Sequence, residues 1–170
     1  KILNKIYIEL KNTDYVVSAF LDGKEFSDEI FKPNISKMVP VVAAFPKVRK
    51  EMVLRQQEIA KHAIGKKESV VMEGRDIATD VLSDADIKIY LTADTKVRAQ
   101  RRLKQLEERG IKTSFDEVLK DLKERDNRDI RRSASPLRVV EDAVVIDTTN
   151  DTIDQTVNKV TEKLKEKNLI

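Results

Sequence analysis

Four groups of residues have types and spacings suited to chemistry. The first is Glu73-Gly74-Arg75-Asp76, which follows directly on the apolar run Ser69-Val70-Val71-Met72. With that run as a strand of an open α/β sheet, the tetrapeptide lies at its carboxyl end, where ligands bind in such sheets. Gly74 then permits a tight turn and the Arg75–Asp76 pair faces the crevice. Read alone, the four residues equally make a turn with a surface ion pair. The second group is Lys-Glu-Arg-Asp-Asn-Arg-Asp-Ile-Arg-Arg over 123–132. On a helix Arg125, Asp129 and Arg132 are spaced i, i+4, i+7 and share a face, with Arg128 and Arg131 beside it. Guanidiniums this dense repel one another unless an anion sits among them, and a phosphate suits the planar fork of arginine. The plainer alternative is a solvated helix laced with i, i+4 ion pairs.

The third group is Arg98, Arg101 and Arg102, followed by Arg109-Gly110. A basic helix, a glycine, a loop and a second basic helix make a candidate mobile lid, over about 102–135, that carries arginines to a transferring phosphoryl group. A solvated face is the alternative here too. The fourth group, AAFPKVR over 43–49, puts Pro46 near a helix start, where its missing N–H costs nothing. Arg49 then falls in the first turn, where the helix dipole disfavours a cation. A cation in that place points to a ligand, or is an ordinary exposed arginine. His62 reads as a surface residue without a role.

These groups need elements to hold them. Short strand-like runs over 6–10, 15–21 and 24–26, with Asp22-Gly23 as a hairpin turn, make a small antiparallel sheet. From Asn34 the pattern is helical, punctuated by Pro40 and Pro46. A helix over 47–64 places Val48, Met52, Ile59 and Ala63 near one face and ends at Gly65. Buried strands follow over 69–72 and 87–91, and a third strand over 144–146. A helix over 92–109 is stopped by Gly110, and Pro136 marks a loop. Ser114-Phe115-Asp116-Glu117 and Thr152-Ile153-Asp154-Gln155 are capping boxes, the first opening a helix toward Arg132 and the second the last helix. Alternating strands and helices imply a parallel sheet flanked by helices. The antiparallel opening does not fit that scheme and reads as an inserted subdomain, 1–58, beside a core, 59–170.

Bulk properties exclude several classes. The chain has 170 residues, which suggests one globular unit with a small insert. The 33 Lys and Arg are nearly cancelled by 30 Asp and Glu, leaving +3, which argues against a general polyanion binder. The few aromatics are not interleaved with basic residues, which argues against a stacking platform for nucleic acid. There is no Cys, so disulfides and thiolate metal sites are excluded, and a single His excludes a multi-His metal site. No apolar run approaches the roughly 20 residues of a bilayer span. Charges interrupt KILNKIYIEL, so it is no signal peptide and cytoplasm is the default compartment. No Met opens the chain and its first residues already read as structured, so an upstream segment is expected.

Taken together, VVAAFPKVR, EGRDIATDVL, DADIKIYLTAD, RRLKQLEERGIKTSFDEVL, KERDNRDIRRSASPL and EDAVVIDTT resemble the bacterial cytidylate (CMP/dCMP) kinase family, in the family's order and spacing and over essentially the whole chain. The resemblance implies an α/β fold of the P-loop kinase type: a parallel sheet flanked by helices, with an inserted small antiparallel-sheet subdomain that binds the monophosphate. It implies transfer of the ATP γ-phosphoryl to CMP or dCMP with Mg²⁺. It further implies a cytoplasmic monomer whose partners are small nucleotides, neither nucleic acid nor membrane. By the same resemblance Arg49, Asp76 and Arg132 contact the cytosine and the acceptor end of the nucleotide. Arg75 is a ligand of the acceptor phosphate, and Arg125 and Asp129 lie near the sugar. Arg101 and Arg102 resemble lid arginines and, with Arg128, are expected to be catalytic; no metal ligand is expected in this chain. Pro40 stands where the family usually has a Ser near the sugar, and Ala78 where it often has Gly. No G-x-x-x-x-G-K-[ST] loop occurs in the 170 residues. Since that loop grips the ATP phosphates in such kinases, the first sheet strand is expected to be missing with it and the chain alone to be inactive. The alternative is a catalytically dead nucleotide-binding or interaction protein on the same fold.

Overall fold

Asp22 and Gly23 both adopt positive φ, 50° and 81°, the backbone of a two-residue turn whose twist matches that of the strands it joins. A computed structural model describes residues 5–13, 16–27, 29–31 and 33–170. In it the turn links β2 (Val16–Leu21) to β3 (Lys24–Glu25), with Leu21 opposite Lys24. β1 (Ile8–Thr13) pairs antiparallel with β2, Ile8 opposite Leu21, giving the order β1-β2-β3. Asp22 also ties the turn to the chain entering β1: its N–H donates to the Tyr7 carbonyl at 2.9 Å, and its carboxylate accepts from the Tyr7 N–H at 2.8 Å. The antiparallel opening expected from sequence is therefore present. Tyr15, expected to begin the second strand, lies outside the described residues.

Two helices follow, α1 (Pro33–Ala43) and α2 (Pro46–Gly65). Pro40 lies inside α1 rather than ending it, although a proline there removes a helical hydrogen bond. Pro46 opens α2 as expected. Arg55 holds α2 to the sheet, donating from Nη1 to the Ile6 carbonyl at 3.0 Å and from Nε to Glu51 at 2.9 Å. The chain divides into two units, Lys1–Val70 and Val71–Ile170, and α2 belongs to the first.

In the second unit β4 (Ile89–Thr92) and β5 (Val144–Asp147) pair in parallel, Ile89 opposite Val144. Between them in sequence run α3 (Thr95–Glu108) and α4 (Phe115–Arg131), which pack on each other; α5 (Ile153–Glu166) follows β5. Val81, Ala99, Val118 and Ile146 form the buried apolar centre. Ala99, with no side chain beyond Cβ, suits close helix packing. Both sequence-read capping boxes are formed: Ser114 with Glu117 at α4, Thr152 with Gln155 at α5. At the carboxyl end of the strands the exits are laced together. Asp94 caps α3, its N–H donates to the Thr149 hydroxyl at 2.9 Å, and that hydroxyl donates to Asp147 at 2.6 Å. The Thr149 hydroxyl and backbone N–H hold the Asp147 carboxyl below the usual carboxylate range. At the opposite end Lys88 pairs with Asp142 at 2.7 Å.

Two expectations are corrected and a third is refined. Residues 69–72 form no strand, and Val71 is 97% exposed; an extended run becomes a strand only by pairing, and among the described residues it has no neighbour. The strand expected to be buried over 87–91 is not buried throughout: Leu91 is exposed, while Ile146 on its partner is buried. Gly65 does end α2, but it is not the left-handed residue of the helix end. Glu68 N–H bonds to Ala63 O and Lys67 N–H to Ile64 O, so Gly65 is the last helical residue and Lys67, at φ 62°, is the left-handed one. This is the Schellman arrangement. α3 ends the same way through Gly110 (φ 72°), with Ile111 bonded to Leu106 and Gly110 to Glu107, and α5 through Asn168 (φ 55°).

The left-handed conformation costs an L-residue about 1–2 kcal/mol and glycine essentially nothing. A Cβ on Gly110 would meet nothing within 4 Å, so only backbone strain is at stake there. Lys67→Gly is expected to stabilise by about 0.5–1 kcal/mol and Gly110→Ala to destabilise by about 1 kcal/mol. Thermal melts should shift in opposite directions, and a lowered midpoint for Lys67→Gly would contradict this reading of the helix end.

Candidate functional site

The carboxylate of Asp129 is the centre of the second unit's charged cluster. Asp129 is only 7% exposed, and helix spacing on α4 puts Arg125 one turn before it and Arg132 just after. A buried carboxylate needs compensation. Three guanidiniums supply it: Arg75 Nε at 3.2 Å, Arg125 Nε at 3.8 Å and Arg132 Nη1 at 3.9 Å. Their distances are long against the 2.7–2.9 Å or so of a tight charge-assisted bond, and Oδ2 of Asp129 has no hydrogen bond among the described residues. The cluster is neutralised but slack. The i, i+4, i+7 face read from sequence is thus formed, and Arg75, from a separate segment, joins it.

Arg132 is positioned by the end of α4. Its N–H closes the helix on the Arg128 carbonyl, and its Nε donates to the Ser135 carbonyl at 2.6 Å. Ser135 takes a left-handed φ of 49° immediately before Pro136, a conformation unfavourable for a serine in that place, and Leu137 N–H bonds back to Asp129 O. The loop is folded over the last turn, with Arg132 on its inner side. Arg132 Nη2 lies 3.9 Å from Asp76, whose side chain is as shielded as its own, 12% against 15% exposed.

Asp76 begins a π turn, Ile77–Val81, with Val81 N–H bonded to its carbonyl at 3.3 Å. Such turns recur at functional sites because the extra residue re-aims side chains. Gly74 is needed here for a reason other than the tight turn expected: a Cβ on it would stand 2.9 Å from Ile77 Cγ1 and 3.1 Å from Cδ1. The glycine lets the Ile77 side chain close over the loop that carries Arg75 and Asp76. Ala78 sits within the π turn without a positive φ, so the methyl is tolerated.

The helix α3 separates its arginines by face. Arg101 is anchored: Nη1 donates to the Thr148 hydroxyl at 3.1 Å, and Nη2 to the carbonyls of Thr148 and Asp151, the latter at 3.1 Å. It clamps the loop after β5. Arg102 is half-buried with a marginal contact to Gln105 at 3.5 Å. Burial and the guanidiniums of Arg109 and Arg125 pull it below the ordinary arginine value. Arg98, grouped in the sequence with the arginines of the candidate lid, makes the tightest pair among the described residues, Nη2 to Asp126 at 2.6 Å. That hydrogen bond raises the Arg98 pKa above the ordinary arginine value. Asp126 was not foreseen; it stands three residues before Asp129, a spacing that places both on one face. Arg128 is exposed and joins no ion pair among the described residues. Arg49 lies in the first unit. Its Nε donates to the Ala43 carbonyl at 3.1 Å, so a cation ill placed for the dipole of α2 is well placed for the end of α1. A local structural contact thus accounts for its position.

The chain matches the family described as "Cytidylate kinase" over residues 1–166. Among curated proteins it is 43% identical over 164 residues to the cytidylate kinase of Clostridium botulinum (strain Langeland), covering 96% of this chain and 71% of that protein. It is 45% identical over 146 residues to that of Caldanaerobacter subterraneus subsp. tengcongensis, covering 86% and 63%. It is 40% identical over 162 residues to that of Caldicellulosiruptor bescii, covering 95% and 70%. With a family match across nearly its full length and relatives at this identity, the chain belongs to the cytidylate kinase family.

Proposed function

We propose that this chain binds CMP or dCMP at the carboxylate–guanidinium cluster around Asp129 and presents it for transfer of the ATP γ-phosphoryl, giving CDP or dCDP. Cytidylate kinases are phosphotransferases of the P-loop kinase fold, and the α/β architecture with one parallel and one antiparallel sheet agrees with that fold. The supporting observation is the convergence of Arg75, Arg125 and Arg132, at 3.2–3.9 Å, on the buried carboxylate of Asp129. Arg75 and Arg125, held by that carboxylate at 3.2 and 3.8 Å, give up little when a phosphate or a polar nucleotide edge takes their donors.

The roles follow the chemistry of each group. Asp76 accepts from the cytosine amino group, and Arg132, beside it, donates to the ring acceptors. Arg75 takes the acceptor phosphate, and Arg125 and Asp129 face the sugar. Arg49 is assigned to the acceptor by resemblance alone. Pro40 brings no hydroxyl to the sugar, so discrimination between ribose and deoxyribose falls to other groups. Residues 1–58, within the first unit, are read as the monophosphate-binding insert, and 59–170 as the core with a lid at about 102–135. In transfer, an oxygen of the CMP phosphate bonds to the γ-phosphorus, the bond to the β–γ bridging oxygen breaks, and ADP leaves. Such transfer rests on positioning and charge stabilisation rather than on covalent help from the protein. Mg²⁺ accompanies the ATP, and no step is assigned to a metal ligand of this chain.

Of the arginines expected to be catalytic, Arg102 fits the phosphoryl role best, since Arg101 is committed to Thr148 and Asp151 and Arg128 is exposed. In the full-length protein Arg102→Ala should lower kcat about 100-fold or more with little change in melting temperature. Arg101→Ala should instead lose about 1–3 kcal/mol of stability. If the two variants exchange these phenotypes, the assignment within the pair is reversed. Arg132→Ala should weaken CMP by about 2–4 kcal/mol, a factor of roughly 30 to 1,000, while the protein stays folded. Titration calorimetry measures this directly; unchanged CMP affinity in the folded variant would refute the acceptor-site assignment.

A further inference from the structure

One carboxylate in the cluster is held quite differently from its neighbours. Asp126 Oδ2 bonds Arg98 Nη2 at 2.6 Å, while its Oδ1 lies 3.9 Å from Arg75 Nη2. Arg98 is itself fixed at the start of α3, its Nε donating to the Ala93 carbonyl at 3.2 Å and its Nη2 to the Thr95 hydroxyl at 3.1 Å. Asp126 therefore cannot follow Arg75 when that side chain turns: one oxygen is locked to a guanidinium that is locked to backbone. Arg75 is bracketed by two carboxylates one helical turn apart, Asp129 on Nε and Asp126 on Nη2, and about a third of its side chain is exposed.

We infer that Asp126 is a positioning residue for the acceptor nucleotide, orienting the Arg75 guanidinium from a fixed point supplied by Arg98. The inference rests on the reading of Arg75 as a ligand of the acceptor phosphate. It goes beyond that reading in giving Asp126 and Arg98, neither of which touches the nucleotide, a part in its recognition. With Asp126 and Asp129 engaging the Nε and Nη2 edge, the Nη1 side of the fork is left for the phosphate. The ordering of a long side chain, which binding otherwise has to supply, is done in advance.

Charge alone predicts the opposite of position, which makes the test decisive. Removing a negative charge beside Arg75 raises the local positive potential, so on electrostatics Asp126→Asn would tighten an anionic ligand. If Asp126 orients Arg75, Asp126→Asn weakens it. In the full-length protein, Asp126→Asn is expected to raise the KM for CMP and weaken CMP in calorimetry by roughly 2- to 10-fold, the scale of one side chain's ordering. The KM for MgATP should stay unchanged. Arg98→Lys, which keeps the charge but loses the fork, should show the same split between the two substrates, and Asp126→Glu should recover part of the loss. Unchanged or tighter CMP binding in folded Asp126→Asn overturns the inference, as does an equal rise in both KM values. Arg132→Ala run alongside separates the two levels. If it weakens CMP while Asp126→Asn does not, only the positioning role fails. If Arg132→Ala leaves CMP affinity intact, the acceptor-site reading fails and the inference with it.

Discussion

Taking a carboxylate out of water is costly unless cations accompany it, and Asp129 is nine-tenths buried. The architecture of the second unit follows from meeting that requirement. Two of the cations come from the same helix, because α-helical spacing brings Arg125 and Arg132 to its face. The third, Arg75, comes from a distant segment and fixes the loop after residue 72 against α4. Burying an ion cluster of this kind adds little net stability and is often worse than an apolar core of the same volume. Its presence in a unit whose apolar centre is as small as Val81, Ala99, Val118 and Ile146 is therefore better explained by ligand chemistry than by folding.

Holding such a cluster open requires rigid surroundings. The capping box at Ser114 fixes where α4 begins, and the left-handed Ser135 folds the following loop back so that Arg132 is trapped against Asp76 and Asp129. The π turn after Asp76 and the closure of Ile77 over Gly74 fix the other wall. Strain at Ser135 is tolerated because three hydrogen bonds around it, Arg132 N–H to Arg128, Arg132 Nε to Ser135 and Leu137 N–H to Asp129, over-determine the loop.

What could be read from sequence was what depends on neighbours in the chain. The Asp22-Gly23 hairpin, both capping boxes, the glycine stop at Gly110 and the shared face of Arg125, Asp129 and Arg132 are all set within a few residues. What escaped depends on packing. Arg101 and Arg102 are adjacent, about 100° apart around α3, and only the position of the β5–α5 loop decides which of them is bound to it. The apolar run over 69–72 looks like a strand, but pairing makes strands and no described neighbour pairs with it. Lys67 rather than Gly65 takes the left-handed place because the tertiary path after α2 outweighs a local penalty of about 1–2 kcal/mol. Asp126 was within reach, three residues from Asp129 on the same face, but its partner Arg98 belongs to another helix.

The charge balance of the cluster also bears on which anions it accepts. Arg75, Arg98, Arg125 and Arg132 face Asp76, Asp126 and Asp129, so the excess positive charge is small. A bare phosphate that drew the arginines to itself would leave carboxylates buried without partners, and an orphaned buried charge costs more than a typical hydrogen bond returns. A nucleotide avoids this, because it brings donors with its phosphate: the hydroxyls of the sugar and the amino group of cytosine can satisfy the carboxylates that the arginines release. Discrimination built on buried groups that must be re-paired is far steeper than discrimination by charge alone. By this argument the acidic residues of the proposed site, as much as the basic ones, select a whole nucleotide over a bare phosphate.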